Sequence, residues 1–185
     1  VHRATLKHAT GPKDVVVKVQ RPGVRETVAR DLELLHALAK LVERTVPESR
    51  IYSPSALVDQ FDRAITSELD FSLEADNAKR FANNFKGHPS ARFPIVYKEA
   101  SSTQVLTLEF LEGCKVYEAI ERRGHKGPTI AKTAVGIVIK MIFEDGFFHA
   151  DPHPGNILIS GEPEAPVIGL IDLGMVGRHA PDHAE

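Results

Sequence analysis

The sequence is poor in sulfur-containing and large aromatic residues: its 185 residues include one cysteine, two methionines and no tryptophan. Cys114 has no second cysteine with which to form an internal disulfide, which fits a reducing compartment. No apolar run approaches the roughly 20 residues needed to span a bilayer, and no stretch has the pattern of a secretory signal. The formal net charge of −2 gives no electrostatic argument for binding nucleic acid or an anionic membrane.

The rest of the composition is that of an ordinary globular protein, with 42% hydrophobic and 26% charged residues. A chain of this length can bury roughly 70% of the surface that its unfolded form exposes, which is enough for one core. The chain begins at Val1, without a methionine, in the middle of a predicted strand. We therefore expect a fragment, from which a targeting or membrane segment could have been cut.

Hydrophobic periodicity and turn residues predict a mixture of strands and helices. The predicted elements are, in chain order, strands at residues 1–6 and 15–20, a helix at 26–46 that Pro47 ends, a helix from the N-cap Ser53, a helix through Glu74 that ends at Gly87, strands at 94–97 and 104–111, a helix at 129–144, and strands at 157–159 and 167–171.

A lysine lies among valines on the second predicted strand. Side chains alternate across a strand, so Lys18 is flanked by Val17 and Val19 on the other face. Lys18 could extend from an edge strand into water, or it could be a functional amine with a buried partner. Glu74 is the candidate partner, because helical spacing places it on an apolar stripe with Phe81, where an unpaired acid would cost several kcal/mol. Alternatively, Glu74 lies at the edge of that stripe in water.

The segment from Phe147 to Ile159 carries the most informative motif. His149, Asp151 and Asn156 have the spacing H-x-D-x-x-x-x-N of protein-kinase catalytic loops. Downstream, a predicted strand ends in an Asp-x-Gly sequence that begins at Asp172. The lysine strand, this loop and the Asp-x-Gly sequence follow one another in the order found in kinases, which is far less expected by chance than any one motif.

Phosphoryl transfer requires bound phosphates, a metal ion that neutralises charge, and an aligned acceptor. In this scheme Lys18 contacts the phosphates and Glu74 positions its ammonium group. Asp172 and Asn156 bind magnesium, since hard oxygen ligands suit that ion, and Asp151 acts on the attacking hydroxyl as positioner or base. The alternative for Asp172 and Asn156 is a capping or turn role.

Three side chains at alternate positions permit a different reaction. His149, Asp151 and His153 would share one side of an extended strand and could bind zinc or a pair of metal ions in a hydrolase. Pro152 and Pro154 argue against a central strand here. A metal site would also leave the upstream lysine and the Asp-x-Gly sequence unexplained. His149 is better explained as a residue that packs and holds the loop.

Together these motifs resemble the UbiB/AarF family of atypical protein-kinase-like proteins, over essentially the whole chain. The most specific segments are residues 17–23, which contain Lys18; residues 68–75, which contain Glu68, Asp70 and Glu74; and residues 153–158. The long helical stretch between Lys18 and Glu74 also distinguishes this family from ordinary kinases. The Glu-x-Asp segment separates it from small-molecule kinases of the aminoglycoside or choline type.

The resemblance implies an α+β, two-lobed, protein-kinase-like fold that is truncated at both ends and has extra helices between the lysine strand and the glutamate helix. Residues 1–111 would form an N-lobe-like unit and residues 112–185 a partial C-lobe. Glu109 and Leu111 would belong to the hinge that binds adenine, with Leu108 guarding the pocket behind it.

The resemblance also implies binding of ATP and Mg²⁺, kinase or ATPase activity, and a role in making or distributing ubiquinone and related isoprenoid lipids. The implied partners are a nucleotide, an isoprenoid lipid or proteins of quinone biosynthesis, and not nucleic acid. The implied location is cytoplasmic, peripheral to the inner membrane in a bacterium, or organellar in a eukaryote. Membrane association would come through segments absent from this sequence.

Two departures from the family pattern bear on activity. The family's N-terminal Lys-x-Gly-Gln extension, which Glu68 and Asp70 would face, and its alanine-rich nucleotide loop would both precede Val1. Much of a C-terminal lobe would follow Asp172. A function of another class therefore remains open, in which the protein binds a nucleotide as a conformational signal without turnover.

Overall fold

The computed structural model describes residues 1–179, apart from the side chains of residues 47, 49 and 50. The first two strands, β1 (His2–His8) and β2 (Gly11–Val19), form the predicted antiparallel hairpin, which turns at Ala9 and Thr10. The strand β4 (Val105–Glu109) pairs with the other edge of β2, and Lys18 lies opposite Leu106. Lys18 is therefore on the central strand of a three-stranded sheet, so its interpretation as an edge-strand lysine is wrong.

Along the chain, two long helices follow β2. The helix α1 (Val24–Thr45) ends where Pro47 was expected to end it, and α2 (Pro54–Glu68) begins directly after Ser53. A 3₁₀ helix (Pro47–Tyr52) connects them. Only Leu32 and Ala39 of α1 are buried, and α2 has no buried residue. This pair is thus mostly a surface feature, although its sequence has a clear apolar stripe.

The helix α3 (Phe71–Asn84) packs more deeply. Its N-cap Asp70 accepts a hydrogen bond from the backbone N–H of Ser72 at 2.9 Å, which satisfies one of the free donors at a helix start. The predicted stripe is buried and includes Ala78, Phe81 and Phe85, with Glu74 on the same side. The chain then reverses near Gly87, where φ is 78°.

The remaining strands form two smaller sheets. In one, the order is β3 (Ala91–Arg92), β7 (Ala165–Leu170) and β6 (Ile157–Glu162); in the other, β5 (Phe147–His149) pairs with β8 (Val176–Arg178). Two helices, α4 (Val116–Arg122) and α5 (Gly127–Ile139), precede β5. A short π-helix (Lys140–Glu144) continues α5, so the predicted helix at 129–144 is present but changes its hydrogen-bond pattern in the last turn.

The predicted strand at residues 94–97 is wrong. Only Val96 forms a bridge, with Leu108. Pro94 has no N–H to donate to a ladder, and the chain enters a 3₁₀ turn (Lys98–Ala100) immediately afterwards. Pairing is therefore limited to one residue.

The main core joins α3 to the segments around the catalytic motif. Phe81 is fully buried, and its ring centroid lies 5.0 Å from that of Phe93 and 4.6 Å from that of Phe147. Ile159, on β6, and Leu173, just beyond β7, belong to the same cluster. The helix that carries Glu74 and the strand that leads into the 149–156 loop are thereby fixed relative to each other.

Candidate functional site

Lys18 makes two ion pairs at the centre of the site. Its Nζ lies 2.7 Å from Glu74 Oε1 and 2.9 Å from Asp172 Oδ1. The side chains of Lys18 and Glu74 are 18% and 7% exposed, whereas that of Asp172 is 57% exposed. The expected contact between Lys18 and Glu74 is therefore present and withdrawn from water, and the alternative of a solvated Glu74 is wrong.

The charge of Lys18 is set by two opposing effects. Burial disfavours the ammonium form, but attraction and hydrogen bonding by Glu74, and then by Asp172, outweigh it and raise the pKa of Lys18 above its ordinary value. Lys18 therefore stays a cation at physiological pH. The site presents a fixed positive charge beside an exposed carboxylate.

The segment that follows Asp172 is held by α3. The backbone N–H of Leu173 donates to Glu74 Oε1 at 3.3 Å. One turn further along α3, the buried side-chain amide of Asn77 donates to the carbonyl oxygens of Leu173, at 3.0 Å, and Gly174, at 3.3 Å. Asp172 itself has φ of 61°, in the left-handed region. These bonds hold the carboxylate next to Lys18.

His149 connects the loop to the strand that leads to Asp172. Its Nδ1 accepts a hydrogen bond from the backbone N–H of Asp151 at 3.1 Å, so the ring proton is assigned to Nε2, which faces the Ile171 carbonyl oxygen at 3.4 Å. Burial lowers the pKa of His149 below its ordinary value, in spite of that carbonyl and the nearby carboxylates. His149 is thus a neutral residue that holds the loop, as predicted.

Asn156 forms a second connection between the same two segments. Its side-chain Nδ2 donates to the Asp151 backbone carbonyl oxygen at 3.2 Å. The backbone carbonyl oxygen of Asn156 accepts from the Ile171 N–H at 3.0 Å. The amide nitrogen is committed to the loop, so the side-chain oxygen is the atom suited to a metal ion. The structure brings Asp151, Asn156 and Asp172 to adjoining segments, as the motif spacing led us to expect.

Glu68 adds another carboxylate to this region. Both of its oxygens lie within 4 Å of the position that a Cβ on Gly174 would occupy. Burial, followed by the repulsion of Asp172 and Glu74, raises the pKa of Glu68, and Lys18 offsets this only partly. The site around Lys18 therefore contains more acidic side chains, those of Glu68, Glu74 and Asp172, than the single ammonium group of Lys18 can neutralise. A bound cation would relieve that repulsion, and magnesium with a nucleotide fits this set of donors.

The predicted hinge faces a separate cavity. A cleft of about 770 Å³ is lined by Glu109, Leu111 and neighbouring residues, but not by Lys18 or Asp172. Next to Lys18 and Asp172 the enclosed space is about 80 Å³, which is too small for a nucleotide. Neither cavity therefore contains both the predicted hinge and the Lys18 and Asp172 pair, so cavity size does not locate a nucleotide site here.

The side chains of the hinge are already engaged. The Glu109 carboxylate lies 3.2 Å from Arg92 Nη2 and accepts a hydrogen bond from the Ile95 N–H at 3.2 Å. Leu111 is buried against Gly169, where an added Cβ would lie 3.3 Å from Leu111 Cδ1. Neither side chain is thus free to contact a base, and the main-chain N–H of Glu109 is also engaged, since it donates to the Ile95 carbonyl oxygen at 2.8 Å.

The alternative metal-hydrolase set is not assembled. The strand β5 ends at His149, and a 3₁₀ turn (Pro154–Asn156) follows His153, so the three side chains do not continue one strand. Within residues 1–179, no group of three or more His, Cys, Asp or Glu side chains is placed to hold a metal ion. The magnesium ligands predicted above are a smaller set, one carboxylate and one amide, to which a nucleotide adds oxygens.

Two contributing residues were not predicted from the sequence. Asn77 lies three residues after Glu74 on the same helix face, and this spacing could have identified it. Lys115 donates from Nζ to the Gly155 carbonyl oxygen at 2.5 Å and steadies the loop before Asn156. Lys115 and Gly155 are 40 positions apart, and no local sequence pattern predicts their contact.

Comparison with known proteins decides the family. The ABC1 atypical kinase-like domain matches residues 1–185. The chain belongs to the ABC1 atypical kinase-like family. Among curated ABC1 relatives named "Probable protein kinase UbiB", it is 34% identical to that of Aliivibrio fischeri strain ES114 and 39% identical to that of Aeromonas hydrophila, over 180 residues in each case. The resemblance to UbiB is therefore confirmed.

The matches also define how much of an ABC1 protein this chain represents. Each alignment covers 96% of this chain but 33% of the relative. Among solved structures, the erythromycin complex of Rv3197 from Mycobacterium tuberculosis superposes with a TM-score of 0.71 at 27% identity, covering 95% of this chain and 43% of that one. The expected α+β, kinase-like fold is confirmed. None of the helices described in residues 1–179 has the length and apolar character required to cross a bilayer.

Proposed function

We propose that this chain is the nucleotide-binding part of a UbiB-type atypical kinase or ATPase that acts on magnesium-bound ATP. One observation carries the proposal: the Lys18 ammonium is held between Glu74 and Asp172, at 2.7 and 2.9 Å. A lysine, a helix carboxylate and an Asp-x-Gly carboxylate, remote in sequence, thus meet at one point. The loop that carries Asp151 and Asn156 is bonded to the strand end beside them.

The side chains have separate tasks in this proposal. Magnesium-bound ATP would supply the phosphoryl group and much of the charge neutralisation. Lys18 would bind phosphate oxygens while the buried Glu74 keeps its ammonium aligned. Asp172 and Asn156 would hold the metal ion through oxygen atoms. Asp151 would orient the attacking hydroxyl or accept its proton, and its side chain is 48% exposed, so an acceptor can approach.

The biological role rests on the UbiB resemblance. It supports action in the synthesis or distribution of ubiquinone and related isoprenoid lipids, at the cytoplasmic surface of a membrane or in an organelle. An isoprenoid lipid or a protein of quinone biosynthesis would be the partner. Because the chain spans about a third of its curated relatives, these statements concern the whole protein.

Magnesium-dependent nucleotide binding tests the assignment of Asp172. In the whole protein, Asp172→Asn should weaken the affinity for ATP in magnesium by about tenfold or more, since a charged ligand becomes neutral, and should change little in EDTA. Calorimetry would measure both constants. Asp76→Asn, which neutralises an exposed carboxylate on α3, is the matched control and should behave as wild type. Equal magnesium dependence in Asp172→Asn and wild type would contradict the assignment.

Turnover then separates catalysis from signalling. Phosphate release from ATP, measured with and without vesicles that contain isoprenoid lipid, is expected from the whole protein. A protein that binds magnesium-bound ATP but releases no phosphate in either case would instead be a nucleotide-responsive module.

A further inference from the structure

The backbone carbonyl of Leu69 accepts hydrogen bonds from two side chains that come from the other side of the helical insertion. Gln20 Nε2 donates to it, and Arg25 Nη2 donates to it at 2.5 Å. Leu69 is the C-cap residue of α2, where carbonyl groups have no partner within the helix. A cationic side chain at this end also suits the helix dipole. The two donors therefore satisfy an acceptor that the helix itself leaves open.

Both the oxygen and the nitrogen of the Gln20 side-chain amide form hydrogen bonds. Its Oε1 accepts from Arg25 Nε at 3.4 Å, and its Nε2 also reaches the Thr103 carbonyl oxygen at 3.5 Å. Its backbone N–H donates to the Gln104 carbonyl oxygen at 3.0 Å, which extends the pairing of β2 beyond Val19. Gln20 thus connects the end of the lysine strand, the loop before β4 and the junction between α2 and α3.

The first residue of α3 is bonded to the same junction. The Phe71 N–H donates to the same Thr103 carbonyl oxygen at 3.1 Å, and Asp70 is the N-cap. Glu74 follows Asp70 by four residues, about 6 Å along the helix axis. Because a helix moves as a rigid unit over one turn, a displacement of Leu69 is passed on to the Glu74 carboxylate.

We propose that Gln20 and Arg25 are positioning residues for Lys18 and Glu74: by clamping the Leu69 carbonyl, they fix the start of α3 and with it the Glu74 carboxylate. Gln20 lies two residues after Lys18, so the end of β2 carries both the ammonium group and a side chain that positions Glu74, the partner of that ammonium group. This accounts for a glutamine in the Val-Lys-Val-Gln segment, which the nucleotide scheme leaves unexplained. The consequence for catalysis rests on the proposed function, whereas the clamp itself does not.

Hydrogen exchange tests the clamp without a nucleotide. In the whole protein, Gln20→Met and Arg25→Met keep most of the side-chain length but remove the donors. The amides of Phe71 and Leu73 should exchange about tenfold faster in either variant, the factor expected for loss of one or two ordinary hydrogen bonds. The controls Gln60→Met and Arg30→Met lie on exposed faces of α2 and α1 and should leave these amides unchanged. Wild-type exchange in both test variants would overturn the proposal.

A double-mutant cycle on the affinity for magnesium-bound ATP tests the link to Glu74. Gln20→Met should weaken binding several-fold in wild type but have no further effect in Glu74→Gln, because it acts through that carboxylate. Equal effects in both backgrounds would overturn the positioning role. If the whole protein bound no nucleotide, the proposed function would fail, and the exchange experiment would still decide whether the clamp exists.

Discussion

At the scale of single residues, Lys18 and Glu74 form an ion pair that is largely removed from water. The attraction in such a pair must offset the desolvation of both groups, so its presence says little about net stability. Removal of one partner is costly because the other charge stays buried. Here the cost is limited, since Lys18 keeps Asp172 at 2.9 Å as a second partner.

Glu74→Ala is therefore expected to lower the free energy of unfolding by about 1.5–3 kcal/mol, the range for a lost hydrogen bond to a charged group. Urea denaturation of wild type and variant would measure the difference. Asp76→Ala removes an exposed carboxylate from the same helix and should change stability by less than about 0.5 kcal/mol. Equal unfolding midpoints for Glu74→Ala and wild type would show that the pair contributes no stability.

His149 should make stability depend on pH. Its folded-state pKa lies below the ordinary value of 6.5, so the unfolded chain binds a proton first as the pH falls. The contribution of neutral His149 is complete above about pH 6.5 and is lost as the pH falls towards the folded-state pKa.

The stability advantage of wild type over His149→Gln should accordingly shrink between about pH 7.5 and about pH 5.5, because the variant has no proton to bind at this position. Unfolding free energies from urea titrations across that range would show it. His2→Gln, at an exposed position on β1, is the control for the loss of a histidine. A wild-type advantage that stays constant with pH would contradict the burial effect.

The sequence predicted some of these contacts because they follow from periodicity. Glu74 lies on an apolar helix stripe, so a cationic partner was expected, and Lys18 was the available amine. The ion pair between Lys18 and Asp172 and the contact of Glu109 with Arg92 were not predicted, because each depends on how separate strands are placed side by side. Residue spacing along one helix indicates that Glu74 needs a partner. It does not indicate which strands lie side by side, and the contacts of Lys18 with Asp172 and of Glu109 with Arg92 depend on that.

At the scale of elements, α3 has two tasks that its residue pattern combines. Glu74 and Asn77 hold the ammonium group and the segment after Asp172, while Ala78, Phe81 and Phe85 enter the core. The helix was predictable because its apolar stripe and the glycine that follows it agree. In contrast, α4 has seven residues, which is too short for a clear period, and residues 94–97 have strand composition but pair through Val96 alone.

At the scale of the whole molecule, the aromatic cluster around Phe81 joins the two predicted units. Phe93 belongs to the 1–111 unit and Phe147 to the 112–185 unit, and both rings contact Phe81. The division at residue 111 stays a prediction, and residues 180–185 of the second unit lie outside the described range. A core shared in this way favours cooperative unfolding of both units.

Phe81→Ala should therefore lower the free energy of unfolding by about 3–5 kcal/mol, the usual cost of emptying a large aromatic site in a core. The loss should appear as one shifted transition when circular dichroism and tyrosine fluorescence are recorded together, tyrosine being the fluorophore because the sequence has no tryptophan. Phe143→Ala, at a position that is 79% exposed, is the control and should have little effect. Two separate transitions in Phe81→Ala would show that the units unfold independently.

The left-handed backbone of Asp172 determines which substitutions are informative there. Asparagine and glycine accept a φ of 61°, whereas alanine adds a conformational penalty of about 1–2 kcal/mol. An alanine scan would therefore combine the loss of an oxygen ligand with a distorted turn next to Leu173, whose N–H reaches Glu74. Asparagine preserves the main-chain path and changes only the charge, so it isolates the electrostatic role of this position.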